Sequence, residues 1–116
     1  MVSLLEEKRL ERQAKNQVLF RSINELIEGA KVSLDDGAEE IEVLCECSTA
    51  CTEVVVLTHT EYEAVRAGST LFVIVPTHET PAIERVVAQS DRFAVVETFG
   101  MAARAAVESD PRARVA

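Results

Sequence analysis

Three cysteines fall within seven residues, Cys45-Glu46-Cys47-Ser48-Thr49-Ala50-Cys51, and the chain has no others. His59 and His78 are its only histidines. Three thiolates and one imidazole make a complete tetrahedral ligand set for zinc. Cys45 and Cys47 lie two apart, so on an extended strand both point to the same side. Cys51 follows past a short turn, and its Cys-x3-Cys step lies inside the range of zinc sites, whereas the Cys-x-Cys step is tighter than usual. His78 sits in the loop Thr77-His78-Glu79-Thr80-Pro81, which starts after Pro76 and suits the presentation of an imidazole. It ranks ahead of His59, whose place after a helix cap puts it at the far end of the hairpin. The expected metal ligands are therefore Cys45, Cys47, Cys51 and His78, with zinc as the cofactor. Glu46 and Glu79 are candidate ligands or acceptors for an imidazole N–H, although a solvated carboxylate is the simpler reading of each. Core packing alone explains Cys45, because free cysteine behaves as a small hydrophobe. It explains Cys51, beside a polar turn, less well.

The same residues admit an enzymatic alternative. A nucleophilic cysteine needs a neighbouring base and an electropositive setting. His78 would serve Cys47 or Cys51 as base, but Glu46 and Glu53 flank the cluster and oppose thiolate formation. There is no Cys-x-x-Cys pair, no glycine-rich phosphate loop among the four isolated glycines, and no deaminase signature. A non-enzymatic role is preferred. A zinc held by three thiolates with one open position, or a thiol-based redox sensor, stands as the alternative.

The elements that must position these residues follow from periodicity. Residues 3–29 form a long helix, opened by the Ser3/Glu6 capping box. Leu19, Ile23, Leu26, Ile27 and Ala30 recur at helical spacing and are expected to pack on the domain, with Phe20 beside them. The first half is charged, with Leu4, Leu5 and Leu10 among the charges. At 1.5 Å per residue the helix spans roughly 40 Å, which suits projection toward a partner. Asp35-Asp36-Gly37 marks a turn. Residues 40–47 alternate as a half-buried strand, with Ile41, Val43, Cys45 and Cys47 on one face and Glu40, Glu42 and Glu46 on the other. Residues 52–58 form its hairpin partner, with the cysteines at the tip. Thr58 and Glu61 make a second capping box for a helix ending at Gly68. Leu71-Phe72-Val73-Ile74-Val75 reads as a central strand buried on both faces. Residues 82–89 and 92–99 read as another hairpin about Ser90-Asp91, strand being preferred over helix at 82–89 for its branched residues although Ile83, Val86 and Val87 also fit a helical period; residues 101–109 form a short helix and 110–116 a loose tail. The expected fold class is α+β in a single domain, 1–116: a long N-terminal helix, a mainly antiparallel sheet of about five strands within 40–99, one short crossing helix and a short C-terminal helix.

Composition bounds the function. The chain has 116 residues, 47% of them hydrophobic but only 4% aromatic, so its core is aliphatic. The net charge is −8, and the only basic run, Lys8 to Lys15, is broken by Glu11. Nucleic-acid affinity rests on basic contacts to phosphate, so nucleic acid is not an expected partner, nor is a membrane, since no apolar run reaches spanning length. An odd cysteine count without a secretory leader fits a cytoplasmic protein.

The residues Cys45-Glu46-Cys47, Cys51-Thr52-Glu53, Leu57-Thr58, Glu61-Tyr62-Glu63-Ala64-Val65-Arg66-Ala67, Phe72, Pro76 and His78-Glu79 together resemble a small, largely uncharacterised actinobacterial protein family. The helical segment Asn16, Leu19-Phe20-Arg21, Asn24-Glu25 is similar as well. The chain departs from that family in a shorter cysteine loop and at Thr77, where glycine is expected. The resemblance brings no reaction; it implies a common fold and Cys45, Cys47, Cys51 and His78 as the site. The reading as a whole is a small zinc-binding protein-interaction or regulatory module, meeting a protein partner or a second copy through its N-terminal helix.

Overall fold

The computed structural model describes residues 3–31 and 39–114. The turn expected at 35–37 lies outside the described residues. The architecture is α+β, in the order α1 (Leu4–Lys31), β1 (Glu40–Leu44), β2 (Val54–Thr58), α2 (His59–Arg66), β3 (Leu71–Ile74), β4 (Glu84–Gln89), β5 (Ala94–Thr98) and α3 (Gly100–Glu108), closed by a 3-10 turn at Pro111–Arg114. Five strands form two antiparallel sheets, a β1–β2 hairpin and a three-stranded sheet ordered β3-β5-β4. β1 and β2 run in register from Glu40 opposite Thr58 to Leu44 opposite Val54. One core joins the sheets: Ile41, Val43, Val55 and Leu57 from the hairpin meet Phe72, Val73, Ile74 and Val96, with Tyr62 and Val65 of α2.

Both bonds of the α2 capping box are present: Thr58 Oγ1 accepts from the Glu61 N–H, and the Glu61 carboxylate accepts from the Thr58 N–H. This fixes where β2 ends and α2 begins. Phe72, Val73 and Ile74 are buried and Leu71 and Val75 half-buried, but β5, not β3, is the central strand of its sheet. What occupies the outer side of β3 is the chain after β1. Glu46 donates its N–H to the Val73 carbonyl at 2.8 Å, and its carboxylate accepts from the Val73 N–H at 3.0 Å. The two sheets are stitched together there.

The long helix packs on the domain through a different face from the expected one: Phe20 is buried as expected, Ile23 and Ile27 are half-buried, and Ala30 is exposed. Its buried positions are Ala14, Gln17, Phe20, Arg21, Asn24 and Glu28, whereas Leu19 and Leu26 are 54% and 76% exposed. The physical reason is the surface that α1 covers. That surface offers backbone groups rather than a flat apolar sheet face. Asn16 donates to the Ser48 carbonyl at 2.7 Å, Arg21 to the carbonyls of Ser69 and Ala106 at 2.6 and 2.8 Å, and Asn24 to the Leu44 carbonyl at 2.8 Å. Buried carbonyls need donors, so the polar stripe of α1 turns inward. The Arg21 guanidinium also stacks over the Phe72 ring, 4.8 Å from its centroid. Leu10 is half-buried and packs beside Ala14, Ile83 and Ala102, while Leu4 and Leu5 stay exposed.

The expected loose tail is tied down over the described residues. Asp110 is buried and accepts from Arg66, and Arg112 forks onto Glu25 and Glu63 at 2.6 to 3.0 Å. Sequence alone does not reveal that the carboxylates of Glu25 and Glu63 wait for Arg112 there. No helix among the described residues is long and apolar enough to cross a membrane.

Candidate metal centre

Cys45 and Cys47 leave β1 on one side of the chain, as their spacing requires, and both are fully buried. The turn at 48–49 carries the chain back, and the strand pairing continues on its far side, where Cys45 donates its N–H to the Glu53 carbonyl at 2.8 Å. Cys51 is thereby returned over the two earlier cysteines. His78 comes from the opposite sheet, in the loop after β3, and its N–H bonds the Val75 carbonyl at 3.0 Å. Ser48 and Thr80 hydroxyls, 2.5 Å apart, tie that loop to the cysteine turn.

One donor atom from each of Cys45, Cys47, Cys51 and His78 lies within 4.8 Å of the others. His78 presents Nδ1, 3.7 Å from Cys45 Sγ and 3.5 Å from Cys51 Sγ. Its Nε2 faces the Glu53 carboxylate at 3.5 Å. Backbone N–H groups address two of the sulfurs: Val75 donates to Cys45 at 3.2 Å and Glu53 to Cys51 at 3.5 Å. Such donors favour thiolate over thiol. Thr49 Oγ1 lies 3.2 Å from Cys47 Sγ.

The thiols share their protons unevenly. The contact with Cys45 holds the Cys47 thiol far below the usual range, with Thr49 adding to the effect. The same contact with Cys47, and then burial, push Cys45 up. Burial raises Cys51. Three sulfurs this close cannot all ionise without a cation among them.

The backbone is forced at this place. The non-glycine residues with left-handed φ among the described residues are Ala50 at +53°, Thr52 at +64° and Thr77 at +77°. All three adjoin residues of the cluster: Ala50 and Thr52 flank Cys51, and Thr77 precedes His78. Left-handed geometry is costly for a β-branched residue, and such outliers gather where a site over-determines the chain.

Glu46 is neither a ligand nor a solvated carboxylate. It is fully buried behind the cysteines, where it accepts from Asn24 Nδ2 at 2.8 Å as well as from the Val73 N–H. Burial pushes its carboxyl up to about 7. Asn24 also brackets Leu44, accepting from its N–H and donating to its carbonyl, each at 2.8 Å. Asn24 and Glu46 therefore fix the strand end from which Cys45 and Cys47 project. Glu79 is outside the cluster, and Glu53 takes the place beside the imidazole instead. The signal for Glu53 is its position two residues after Cys51; no periodicity or ligand spacing marks Asn24.

His59 is remote from the thiols. It lies in a second group with Glu28 and Glu63, its Nδ1 2.7 Å from the Glu28 carboxylate. Arg112 sits across that group on Glu63 and Glu25, so a guanidinium already balances its charge. Burial, then a hydrogen bond shared with Glu63, raises the Glu28 carboxyl, while Arg112 lowers Glu63. No family model, curated protein or solved structure matches the chain.

Proposed function

We propose that the chain is a small zinc-binding module in which a structural zinc, held by Cys45, Cys47, Cys51 and His78, locks the hairpin tip to the loop after β3. The carrying observation is the spacing of the donors. Tetrahedral bonds of about 2.3 Å to sulfur and about 2.0 Å to nitrogen put neighbouring S and N about 3.5 Å apart. The His78 to Cys51 and His78 to Cys45 separations are 3.5 and 3.7 Å. Glu53 on the second imidazole nitrogen and two N–H···S bonds are the outer support that such ligands use. Four protein ligands leave no position for water or substrate, which favours a structural over a catalytic role. A groove of about 300 Å³ runs between α2 and the β4–β5 hairpin, lined by Val65, Leu71, Val87 and Phe93, and none of the four ligands borders it. Free cysteines in this density suit a reducing compartment, and we place the protein in the cytoplasm.

Cys51, His78 and Glu53 also stand in the order of a thiol, its base and an orienting carboxylate. This favours a nucleophilic cysteine as the second reading. Convergence of two further sulfurs on the same imidazole weighs against it. The module's outward function is proposed to be protein association through α1, whose Leu4, Leu5, Leu19 and Leu26 are exposed.

The test is the metal content of protein purified without chelator. One zinc per chain, and an intense thiolate-to-metal absorption after cobalt exchange, are expected. Absence of stoichiometric metal, together with stoichiometric alkylation of Cys51 at neutral pH, would replace this reading with the nucleophilic one.

A further inference from the structure

The outer face of α1 carries one continuous stripe: Lys8, Arg12, Lys15, Leu19, Ile23 and Leu26, spaced four, three, four, four and three residues apart. These positions share a helix face. All are exposed except Ile23, which is half-buried. The stripe contains no acidic residue, although the chain carries a net charge of −8. It divides into a basic half and an apolar half. A helix that turns glutamine, arginine, asparagine and glutamate inward and leucine outward is built to be covered on its second side.

Charge and register choose the occupant. A parallel copy of α1 would set Lys8, Arg12 and Lys15 against themselves. An antiparallel copy centred on Ile23 sets Leu19 level with Ile27 of the second copy, one residue from its Leu26, twice. Lys15 then lies level with the other helix's C-terminal residue, Lys31, itself a cation, because both are eight residues from Ile23. The carbonyl end of a helix carries partial negative charge and favours a cation there. Arg12 and Lys8 reach past that end, about 4–10 Å at 1.5 Å per residue. The Asn24–Leu44 and Glu28–His59 contacts, with the His59 N–H on the Glu39 carbonyl, place the start of β1 beside the end of α1. Glu40 and Glu42 are exposed there. We infer that α1 pairs antiparallel with α1 of a second copy about a two-fold axis at Ile23, leucines at the centre and the basic half of each helix over the acidic start of β1 of the other. This deepens the reading of α1 as the association surface and is independent of the metal.

The test uses the full zinc-loaded chain. Sedimentation velocity should give a species of twice the 12.7 kDa chain mass. Leu26→Glu, at a position outside the core, should give the single-chain mass with melting temperature and zinc content retained. Arg12→Glu with Lys15→Glu should weaken the dimer about ten-fold or more. Ile23→Cys should form a covalent dimer under mild oxidation. Leu19→Cys and Leu26→Cys should cross-link to each other when mixed, and neither to itself. A zinc-loaded monomer at all concentrations overturns the pairing and leaves the metal reading intact. So does a dimer insensitive to Leu26→Glu. Self-cross-linking of Leu26→Cys, or a monomer that sediments with anionic vesicles, also overturns it. Loss of zinc without loss of the dimer would instead remove the metal reading alone.

Discussion

Asn24→Ala should be among the most damaging single changes on α1. Its side chain makes three hydrogen bonds of 2.8 Å, two to the backbone of Leu44 and one to the Glu46 carboxylate. Asn24 is fully buried, Glu46 is fully buried, and Leu44 is half-buried. Each lost bond has a net worth of about 1 kcal/mol, and each buried group left without a partner costs about 1–3 kcal/mol more. Some relaxation and water entry will offset this, so a loss of about 3–5 kcal/mol is expected. That is a large part of the 5–15 kcal/mol typical of a domain. The assay is urea denaturation of the metal-free protein, followed by a zinc titration. The midpoint should fall with an unchanged slope, and zinc affinity should weaken, because Cys45 and Cys47 hang from the strand end that Asn24 holds. Ser22→Ala, exposed on the same helix, is the control and should change neither. A loss below about 1 kcal/mol for Asn24→Ala would refute the view that α1 serves the site through its inward polar stripe.

Cys51→Ser should lower the melting temperature of zinc-loaded protein while changing the metal-free protein little; zinc at 100 times its Kd stabilises by about 2.7 kcal/mol, and equal melting of variant and parent in zinc would argue against a structural metal. Thr77→Gly should raise stability by about 1 kcal/mol, since glycine accepts the +77° φ without the penalty a β-branched residue bears; calorimetry showing a lower melting temperature would contradict this. Burial pushes the Glu84 carboxyl up to about 7 from an ordinary 4.5. The folded state therefore keeps a proton that the unfolded chain releases, and stability falls as pH rises from about 4.5 to 7, by roughly 3 kcal/mol from this group. Glu84→Gln should flatten that slope in chemical denaturation between pH 5 and 8, and an unchanged slope would count against it.

The three cysteines were legible in the chain because their grouping is local, a two-residue step and a turn, and His78 because it follows a proline-ended strand. The α2 start was equally legible, since a capping box is complete within four residues. The first hairpin could be read from the period-two alternation of 40–47 and its turn, the second from branched residues about Ser90-Asp91. What periodicity could not decide was which side of α1 faces the protein. An apolar stripe ordinarily faces the core, and α1 has one in Leu19, Ile23 and Leu26. Only the assembled fold leaves the carbonyls of Leu44, Ser48, Ser69 and Ala106 under one helix, and only then does a stripe of asparagine, glutamine and arginine become the better inner face. Glu46 escaped for the same reason: alternation put it outward, correctly opposite the cysteines, but the sequence does not say that β3 and Asn24 close over that side. His78 joins the cysteines across 27 to 33 residues of chain. Composition made that contact conceivable. The meeting of the β1–β2 hairpin with the end of β3 made it real, because hydrogen bonds between Glu46 and Val73 hold the two strand ends in register.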